Sequence, residues 1–539
     1  MHINIMTSFF LNPTSLLLTT TFISILTHSP TSLPPALLAH PVATRLRLDP
    51  PSLSLASSDF GAIIRHPPSA FFLPSAPSDI ASLLSISHSS PHPFTIAARG
   101  LGHSTRGQAQ APAGIVVNMP SLGGVITVSN DGMFVDAGGD RAWIDVLSET
   151  LRLGLSPKSW TDYLYLSVGG TLSNGGISGQ AFLHGPQISN VFELDVVTGK
   201  GEMVTCSENL NSDLFFSVLG GLGQFGIITR ARIALEKAPK YVRWMRLMYI
   251  NFDIFTRDQE LLISIIKSEG ENWKLGYVEG SLLMEHSMKS NWRSSFFSEN
   301  DLKRIKNMAY ENDGVIYCLE ASFYIGYDNY EIMESNSANN RIDQDIEELL
   351  KKLSFLPGFA FINDVSYMSF LNRVHDGEVK LRAMGLWEVP HPWLNLFVAK
   401  SNIMDFHSGV FKGILKTNKS MGPILVYPTK RSKWDERMSA VVPDEEIFYS
   451  IGILLSSEKN DLQYLENKNA EILKYCNQLG MDYKQYLPHY TTKEDWMKHF
   501  GKKWKRFVEM KNKYDPKAIL SPGQKIFTHL IDDLCVYDH

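Results

Sequence analysis

The residue with the clearest chemical potential in this chain is a histidine in a glycine-rich turn. His103 follows Ala97-Ala98-Arg99-Gly100-Leu101-Gly102 and precedes Ser104, with Gly107 and Gln108 close behind. Glycines let the backbone approach a ligand closely, and successive N–H groups in such a turn can face a pyrophosphate. An imidazole here could attach a flavin covalently, which predicts a redox enzyme. The alternative is an ordinary turn with a hydrogen-bonded histidine.

A second stretch rich in glycine covers residues 167–180, with the sequence Ser-Val-Gly-Gly-Thr-Leu-Ser-Asn-Gly-Gly-Ile-Ser-Gly-Gln. Its small, hydroxylated residues cannot build a core, but they can surround a long phosphate-bearing ligand with donors and bare backbone. A flexible surface loop is the alternative, although a loop of about this length in a compact domain is usually functional. Two such stretches favour one extended cofactor.

A third glycine motif, Gly221-Leu222-Gly223-Gln224-Phe225-Gly226, matches the G-x-G-x-x-G dinucleotide pattern but lacks its context. That pattern needs a strand before it, a helix after it and an acid about 20 residues further on. Here residues 213–219 are predicted to be helical, residues 227–235 are predicted to be a strand, and residues 245–247 are Met, Arg and Leu. We therefore reject a Rossmann-type nicotinamide site.

A carboxylate lies among aromatic residues just upstream of the second glycine stretch, in Trp160-Thr161-Asp162-Tyr163. Near a flavin, Asp162 could accept a proton or orient an amine as a hydride leaves. In isolation the same residue fits an ordinary Asx-turn.

The elements that would position these residues differ between two parts of the chain. Asp140 is predicted to cap one clear helix that ends at Gly154. Around that helix, strands are predicted at residues 94–98, 114–118, 133–137, 191–197 and 227–235. From residue 241 glycine is sparser, and helices are predicted at residues 258–267, 342–353 and 462–479. This mixture predicts an α+β fold of two domains, and periodicity leaves the placement of residues 486–527 undecided.

Length and composition limit the class of protein. The 539 residues exceed a usual domain of about 100–200 residues, which predicts two or more cooperating domains. A hydrophobic content of 44% and a net charge of −5 are typical of a soluble globular protein and argue against nucleic acid as a partner. Four widely spaced cysteines without a C-x-x-C pair argue against a zinc site and a disulfide framework, so no metal is expected.

Residues 1–30 are predicted to be a secretory signal. The chain has no Asp, Glu or Lys before residue 49, and the apolar residues 16–26 are too short to span a bilayer but suit a signal h-region. The basic n-region is missing, so a transit peptide or an uncleaved tail is the alternative. The expected location is extracellular or vacuolar, and Asn418-Lys419-Ser420 is a glycosylation sequon if the chain enters that pathway.

Further motifs extend to the C-terminus: Tyr277-Val278-Glu279-Gly280, Pro390-His391-Pro392-Trp393-Leu394-Asn395, Gly422-Pro423-Ile424-Leu425-Val426-Tyr427-Pro428 and Leu520-Ser521-Pro522-Gly523-Gln524. With the turns above, they resemble the cytokinin dehydrogenases, plant flavoenzymes of the vanillyl-alcohol-oxidase type with a PCMH-type FAD-binding fold. The resemblance covers about residues 59–527, and the Pro-His-Pro-Trp-Leu-Asn and Leu-Ser-Pro-Gly-Gln motifs together are highly specific.

The resemblance implies an α+β fold with a discontinuous FAD-binding domain. Residues 59–240 and a C-terminal segment, 485–539, would form that domain, and a cytokinin-binding substrate domain, 241–484, would be inserted between them. His103 would carry FAD through the 8α-methyl group of the flavin. The residues implied to line the cofactor are Gly100, Gly102, His103, Ser104, Gln108, Asp162, Ser167, Ser173, Ile177, Ile228, Tyr486, Ser521 and Gln524.

The resemblance also implies the reaction. Asp162 matches the family's catalytic aspartate, which accepts a hydrogen bond from the side-chain amine of an N6-substituted adenine. Hydride passes to FAD, and water splits the resulting imine into adenine and an aldehyde. Glu279 is implied to help catalysis and to hold substrate at the entrance, and Trp393 is expected to wall the alkenyl side chain. Glu378 is carried over only by a weaker match, because Asp376-Gly377-Glu378 replaces the usual pair of acids. For both glutamates the alternative is a solvated surface carboxylate.

Two other functions stay open. A flavin oxidase of the same fold acting on alcohols or sugars would gain support from a second covalent anchor through cysteine, but no cysteine lies near residues 167–180. A non-catalytic cytokinin-binding protein would have lost His103 or Asp162, and both are present. The expected partners are a small-molecule cytokinin and a quinone or oxygen as electron acceptor, with no nucleic acid and no membrane. The chain is expected to be a monomer.

Overall fold

The computed structural model describes residues 33–527 except for residues 130, 266–272, 285–295, 313, 327–335, 417–421 and 459–460. The predicted signal segment and the sequon at Asn418 lie outside the described residues. Within these described ranges, no helix is long and apolar enough to cross a membrane.

The first of three β-sheets leads into the His103 turn. Two of its strands run parallel to β4, and β1 pairs antiparallel with β2. In spatial order the strands are β1 (Leu46–Arg47), β2 (Ala70–Phe72), β4 (Ile115–Asn118) and β3 (Ile96–Arg99). The strand predicted before the turn is therefore confirmed as β3, and it ends immediately before Gly100.

The second sheet is antiparallel and is built around the long strand β10. In spatial order it contains β5 (Ile126–Ser129), β6 (Phe134–Gly138), β10 (Gly226–Lys237), β8 (Val191–Thr198) and β9 (Met203–Ser207), and β7 (Leu155–Pro157) also pairs with β10. The Gly221–Gly226 motif lies between a helix, Ser212–Val218, and β10. The predicted order of helix, glycine motif and strand is confirmed, which is the reverse of the dinucleotide pattern.

The third sheet has eight antiparallel strands in the described part of the chain. Its central strands, β12 and β13, are buried along almost their whole length because both faces of the sheet are covered. In spatial order the strands are β14 (Ala360–Ser366), β11 (Tyr241–Tyr249), β13 (Val315–Ile325), β12 (Trp273–Met284), β16 (Ile424–Lys430), β17 (Ile447–Ile453), β15 (Leu394–Ala399) and β18 (Tyr483–Tyr486). Strand β18 extends across the predicted domain border at residues 484 and 485.

Helices cover the sheets on several sides. The three helices predicted in the second half of the chain are present with shifted ends, over Phe252–Ser264, Asn336–Leu350 and Leu462–Gln478. The α-helices are α1 (Pro35–Leu38), α2 (Pro50–Ala56), α3 (Pro77–Ser89), α4 (Trp143–Leu151), α5 (Val168–Leu172), α6 (Ala181–His184), α7 (Ser212–Val218), α8 (Phe252–Ser264), α9 (Glu299–Glu311), α10 (Asn336–Leu350), α11 (Tyr367–Leu371), α12 (Arg373–Ala383), α13 (Ile403–Phe406), α14 (Leu462–Gln478), α15 (Lys493–Phe500) and α16 (Trp504–Tyr514), and a π-helix follows α13 over His407–Ile414.

The predicted cap of helix α4 is wrong. Residue 142, an alanine, precedes the helix and makes no side-chain cap. The carboxylate of Asp140 instead accepts a hydrogen bond from the backbone N–H of Gly124 at 2.9 Å. The Asp140 carboxylate, which was predicted to cap the helix, therefore binds a backbone N–H of a neighbouring loop instead.

The last helices pack against the part of the chain that precedes residue 240. The ring of Phe507 on α16 lies 4.7 Å from the ring of Phe225. The backbone N–H of Ile96 on β3 donates to the carbonyl of Ile519 at 2.8 Å. These contacts bring the Ser521–Gln524 turn to the same end of the molecule as the His103 turn.

Candidate active site

A cleft of about 350 Å³ lies where the glycine-rich turns face the eight-stranded sheet. Every residue that the resemblance implies for the cofactor lines this cleft, and so does Trp393. These lining residues are Gly100, Gly102, His103, Ser104, Gln108, Asp162, Ser167, Ser173, Ile177, Ile228, Trp393, Tyr486, Ser521 and Gln524. Among the described lining residues, neither Glu279 nor Glu378 occurs.

The His103 turn is held by the segment that starts at Asp59. One oxygen of the Asp59 carboxylate accepts hydrogen bonds from the Ser104 hydroxyl at 2.9 Å and from the Gly107 N–H at 2.6 Å. Gly102 has a φ of +77°, a backbone conformation that favours glycine, and a Cβ there would also displace the guanidinium of Arg99. The turn therefore presents His103 to the cleft in a fixed backbone conformation.

The imidazole of His103 is enclosed by aromatic rings. It stacks on Phe60 with a centroid distance of 5.1 Å, and the ring of Tyr163 lies 5.0 Å away. Burial lowers the pKa of His103 to about 4. The imidazole is therefore neutral at physiological pH, and its nitrogen lone pair is available for bond formation.

The second glycine stretch is partly ordered as a short helix. Helix α5 follows Ser167, and the Ser173 hydroxyl donates to the carbonyl of Gly169 at 2.7 Å. Beyond the helix, the backbone N–H of Gly176 donates to the phenolic oxygen of Tyr486 at 3.0 Å. The stretch is thus a folded wall of the cleft that the C-terminal part of the chain holds in place.

The C-terminal turn closes the same wall. The Ser521 hydroxyl donates to the carbonyl of Gly223 at 2.9 Å, and the side-chain amide of Gln224 donates back to the Ser521 carbonyl at 3.3 Å. Gly223 has a φ of +70°, and a Cβ there would lie 2.5 Å from the Ser521 hydroxyl. The Gly221–Gly226 motif therefore packs closely against the C-terminal turn at Gly223, which explains this glycine without a dinucleotide pattern.

Asp162 is the carboxylate that the structure brings to this cleft. Its Oδ1 accepts hydrogen bonds from the Ser178 hydroxyl at 2.9 Å and from Nη2 of Arg373 at 3.0 Å, and the hydroxyl oxygen of Tyr277 lies 3.0 Å away. These groups come from three separate segments, so they fix the orientation of the carboxylate.

Glu279 lies behind Asp162 and away from any entrance. Its side chain is fully buried on β12 and accepts a hydrogen bond from the hydroxyl of Tyr277. Burial raises the pKa of Tyr277 well above its ordinary value, so the hydroxyl keeps its proton. The expected position at the entrance is wrong because β12 is a central strand, and the surface alternative is wrong for the same reason.

Glu378 is buried as well, on helix α12. Its carboxylate accepts hydrogen bonds from Tyr163 at 2.5 Å and from Arg382 at 2.7 Å, and it lies 2.8 Å from Nδ1 of His375. These three partners outweigh burial and lower the pKa of Glu378. Glu378 therefore does not line the cleft itself, but it binds the hydroxyl of Tyr163, and Tyr163 lines the cleft.

Trp393 lines the cleft from the side of the eight-stranded sheet, directly before β15. The N–H of His391, two residues earlier, donates to the carbonyl of Gly61 at 2.9 Å, and the His391 ring stacks on Phe60 at 4.1 Å. Phe60 also stacks on His103. The Pro-His-Pro-Trp motif is therefore docked directly on the segment that holds the His103 turn.

Sequence reasoning missed Tyr277, Arg373 and Tyr427. Tyr277 and Glu279 are two residues apart on one strand, and this spacing could have indicated that both side chains share a face. Arg373 precedes the acids that drew attention to helix α12, but no local signal connects it with Asp162. Tyr427 lines the cleft from β16.

Comparisons with known proteins agree with this geometry. The family described as "FAD binding domain" matches residues 68–207, and the family described as "Cytokinin dehydrogenase 1, FAD and cytokinin binding" matches residues 239–527. Cytokinin dehydrogenase 3 of Arabidopsis thaliana is 51% identical over 489 residues, which cover 90% of each chain. Cytokinin dehydrogenase 6 of Oryza sativa subsp. japonica is 51% identical over 508 residues, which cover 92% of this chain and 94% of that one.

The chain belongs to the cytokinin dehydrogenase family. The resemblance stated from the motifs is confirmed, and the protein is an FAD-dependent oxidoreductase. Solved structures of more distant enzymes share the fold. 6-Hydroxy-D-nicotine oxidase from Arthrobacter nicotinovorans has a TM-score of 0.61 at 16% identity, covering 87% of this chain and 94% of that one. Chitooligosaccharide oxidase has a TM-score of 0.63 at 14% identity, covering 90% and 97%. The predicted α+β, PCMH-type fold is thereby confirmed.

The cleft of this cytokinin dehydrogenase family member fits FAD. Nε1 of Trp393 and Oε1 of Gln524 are buried atoms of the lining, and neither has a hydrogen-bond partner among the described residues. A buried donor and a buried acceptor without partners are costly unless a bound group satisfies them. The described residues contain no group of His, Cys, Asp or Glu arranged to hold a metal ion.

Proposed function

We propose that this protein cleaves N6-substituted adenine cytokinins, such as isopentenyladenine and zeatin, into adenine and a side-chain aldehyde. The observation that carries the proposal is that Asp162 and His103 line one cleft, the first as an oriented carboxylate and the second as a neutral imidazole. Oxidation of a secondary amine needs a group that binds the amine N–H and an acceptor for the hydride.

The acceptor is FAD, attached covalently through the 8α-methyl group to His103. The glycine-rich turns, with Ser104, Ser167, Ser173 and Gln524, hold the cofactor. Bound FAD supplies the acceptor for a hydride from the substrate. The low pKa of His103, about 4, supports the attachment because a neutral imidazole has the lone pair that the new bond needs.

Asp162 binds the substrate at the amine that joins adenine to its side chain. Its carboxylate accepts a hydrogen bond from the amine N–H and favours the positive charge that develops on nitrogen as the hydride leaves the adjacent carbon. The C–N single bond becomes a C=N bond, and the Asp162 carboxylate takes the N–H proton so that a neutral imine is formed. Water then adds to this imine and splits it into adenine and the aldehyde. Apolar lining residues from the eight-stranded sheet side, Trp393, Leu425 and Leu454, suit the alkenyl chain.

The experiment that tests this function is anaerobic reduction of the purified protein by isopentenyladenine, with an aryl alcohol and a sugar for comparison. We expect the flavin absorbance to bleach with isopentenyladenine only. Reduction by the alcohol or the sugar alone would favour an oxidase of the same fold with another substrate. Tight binding of isopentenyladenine without bleaching would favour a non-catalytic binding protein.

Several expectations about the protein in the plant belong to the same proposal. Secretion through a signal at residues 1–30 is tested by N-terminal sequencing of the protein recovered from plant tissue. Quinone or oxygen as electron acceptor is tested by reoxidation of the reduced flavin with each. The monomeric state is tested by light scattering.

A further inference from the structure

A row of buried charged residues lies behind Asp162 in the eight-stranded sheet. Glu279 on β12 is directly opposite Glu320 on β13, and Glu320 is directly opposite Arg246 on β11. Like charges opposite each other on neighbouring strands destabilise a sheet, and burial adds the cost of removing them from water. The two glutamates therefore need a cation that is close to both.

Arg373, the first residue of α12, supplies this cation. Its Nη2 lies 3.8 Å from Oε2 of Glu279, and its Nε lies 3.7 Å from Oε1 of Glu320. Arg246 pairs with the other oxygen of Glu320 at 2.8 Å. The same Nη2 of Arg373 donates to Oδ1 of Asp162 at 3.0 Å. One guanidinium thus contacts three carboxylates, and of these three only Asp162 lines the cleft.

The guanidinium of Arg373 is itself held by a backbone carbonyl and by two neighbouring aromatic rings. Its Nη1 donates to the backbone carbonyl of Phe370 at 3.0 Å. Its central carbon lies 4.9 Å from the ring centre of Tyr277 and 4.6 Å from that of Phe370. A planar cation that is already held against two rings and a carbonyl loses little freedom when it binds a carboxylate.

We infer that Arg373 is a positioning residue for the oxidation: it holds the Asp162 carboxylate in one orientation and places a positive charge at Oδ1 of Asp162, beside Glu279 and Glu320. This inference rests on the proposed role of Asp162. Arg373 is absent from the described lining of the cleft, so it acts through Asp162 and not on the substrate.

Loss of the guanidinium has a consequence that depends on pH. Without this cation, the carboxylate cluster binds a proton at higher pH, and a protonated Asp162 no longer accepts the hydrogen bond of the substrate amine. In the described residues, the charged and titratable groups that face Asp162 or belong to its carboxylate cluster are Arg246, Tyr277, Glu279, Glu320, Arg373 and Tyr427. Of the two cations, Arg373 is the one that the structure shows at the Asp162 oxygen, and Arg246 pairs with Glu320.

The test is the rate of anaerobic flavin reduction by isopentenyladenine, measured from about pH 6 to about pH 9. We expect R373M to lower the rate at least about tenfold at the acidic end and much less at the alkaline end, so that the acidic limb of the profile moves up by about one pH unit or more. R373K should restore part of the rate at low pH. K380M, which removes an exposed positive charge from the same helix, is the matched control and should leave the profile unchanged. A profile of R373M with the wild-type shape overturns the inference.

Two further variants keep the result decisive. If R373M fails to fold, the double variant E320Q/R373M is measured instead. It removes one buried charge of each sign, so no charge is left without its partner between these two residues, and its pH profile then takes the place of the R373M profile. Comparison with D162N separates this inference from the proposed function. An unchanged rate in D162N alone contradicts the role of Asp162. If D162N is slow and D162N/R373M is about tenfold slower again, the role of Asp162 stands, but Arg373 does not act through Asp162 and the inference is overturned.

Discussion

The side-chain amine of Lys511 donates hydrogen bonds to both oxygens of Gln224, at 2.9 Å to the amide and 3.0 Å to the backbone carbonyl. Lys511 also pairs with Asp515 at 2.8 Å, and neither side chain is exposed. The Asp515 carboxylate accepts from the backbone N–H of Leu520 at 2.8 Å. Because Gln224 belongs to the Gly221–Gly226 motif and Leu520 precedes Ser521, this buried pair joins the motif to the C-terminal turn.

Substitution of Lys511 by methionine should destabilise the protein because Asp515 would become a buried charge without its cation. We expect the free energy of unfolding in urea to fall by about 3 kcal/mol or more, and bound flavin to be lost more easily. K513M is the matched control, two residues along the same helix. Lys513 pairs with Asp213 at the surface, so its loss should cost about 1 kcal/mol or less. Equal losses in the two variants would contradict the structural role of Lys511.

The local parts of the site could be predicted from the sequence. Glycine turns, the strand before His103 and the order of α7, the Gly221–Gly226 motif and β10 depend on residues that are neighbours in the chain. Their types therefore carry the information needed. The motif that matched a dinucleotide pattern was interpreted correctly because its flanking elements have clear periodicity.

The network around Asp162 could not be predicted in the same way. Arg373 is 211 residues from Asp162, and Glu279 meets Glu320 only through the register of β12 on β13. Register depends on the packing of a whole strand, so no single residue type indicates it. Glu279 was expected at an entrance because the resemblance implied it, and the surface alternative rested on the usual exposure of glutamate. The interior of an eight-stranded sheet overrode that preference.

Replacement of His103 by alanine should abolish covalent attachment of the flavin while the turn keeps its backbone. Acid precipitation should then release yellow flavin into the supernatant, and the denatured protein band should lose its flavin fluorescence. His92→Ala, at an exposed position outside the described cleft lining, is the control and should keep the flavin with the precipitate. Flavin that still precipitates with the H103A protein would rule out His103 as the anchor.

Substitution of Asp162 by asparagine should leave the absorbance spectrum of the bound flavin unchanged but slow its bleaching by isopentenyladenine. Asparagine is nearly isosteric but lacks the negative charge that favours positive charge on the substrate nitrogen, so we expect a loss of about 100-fold or more. S178A removes one of the donors to Asp162 but keeps the carboxylate, and it should slow the reaction much less. Undiminished bleaching in D162N would remove Asp162 from the mechanism.

Glu378 should make the stability of the protein depend on pH at the acidic end. Its hydrogen bonds from Tyr163, Arg382 and His375 lower its pKa below the ordinary value of 4.5. A carboxyl whose pKa is lower in the folded state stabilises that state above pH 4.5, and this contribution is lost as the pH falls through the lower, folded-state pKa. E378Q should therefore lower the free energy of unfolding by about 1 kcal/mol at neutral pH. That difference from wild type should shrink towards zero in acid. E388Q, which alters an exposed glutamate bound to the same Arg382, should change stability little at any pH. A difference for E378Q that stays constant as the pH falls would show that its hydrogen bonds do not depend on its charge.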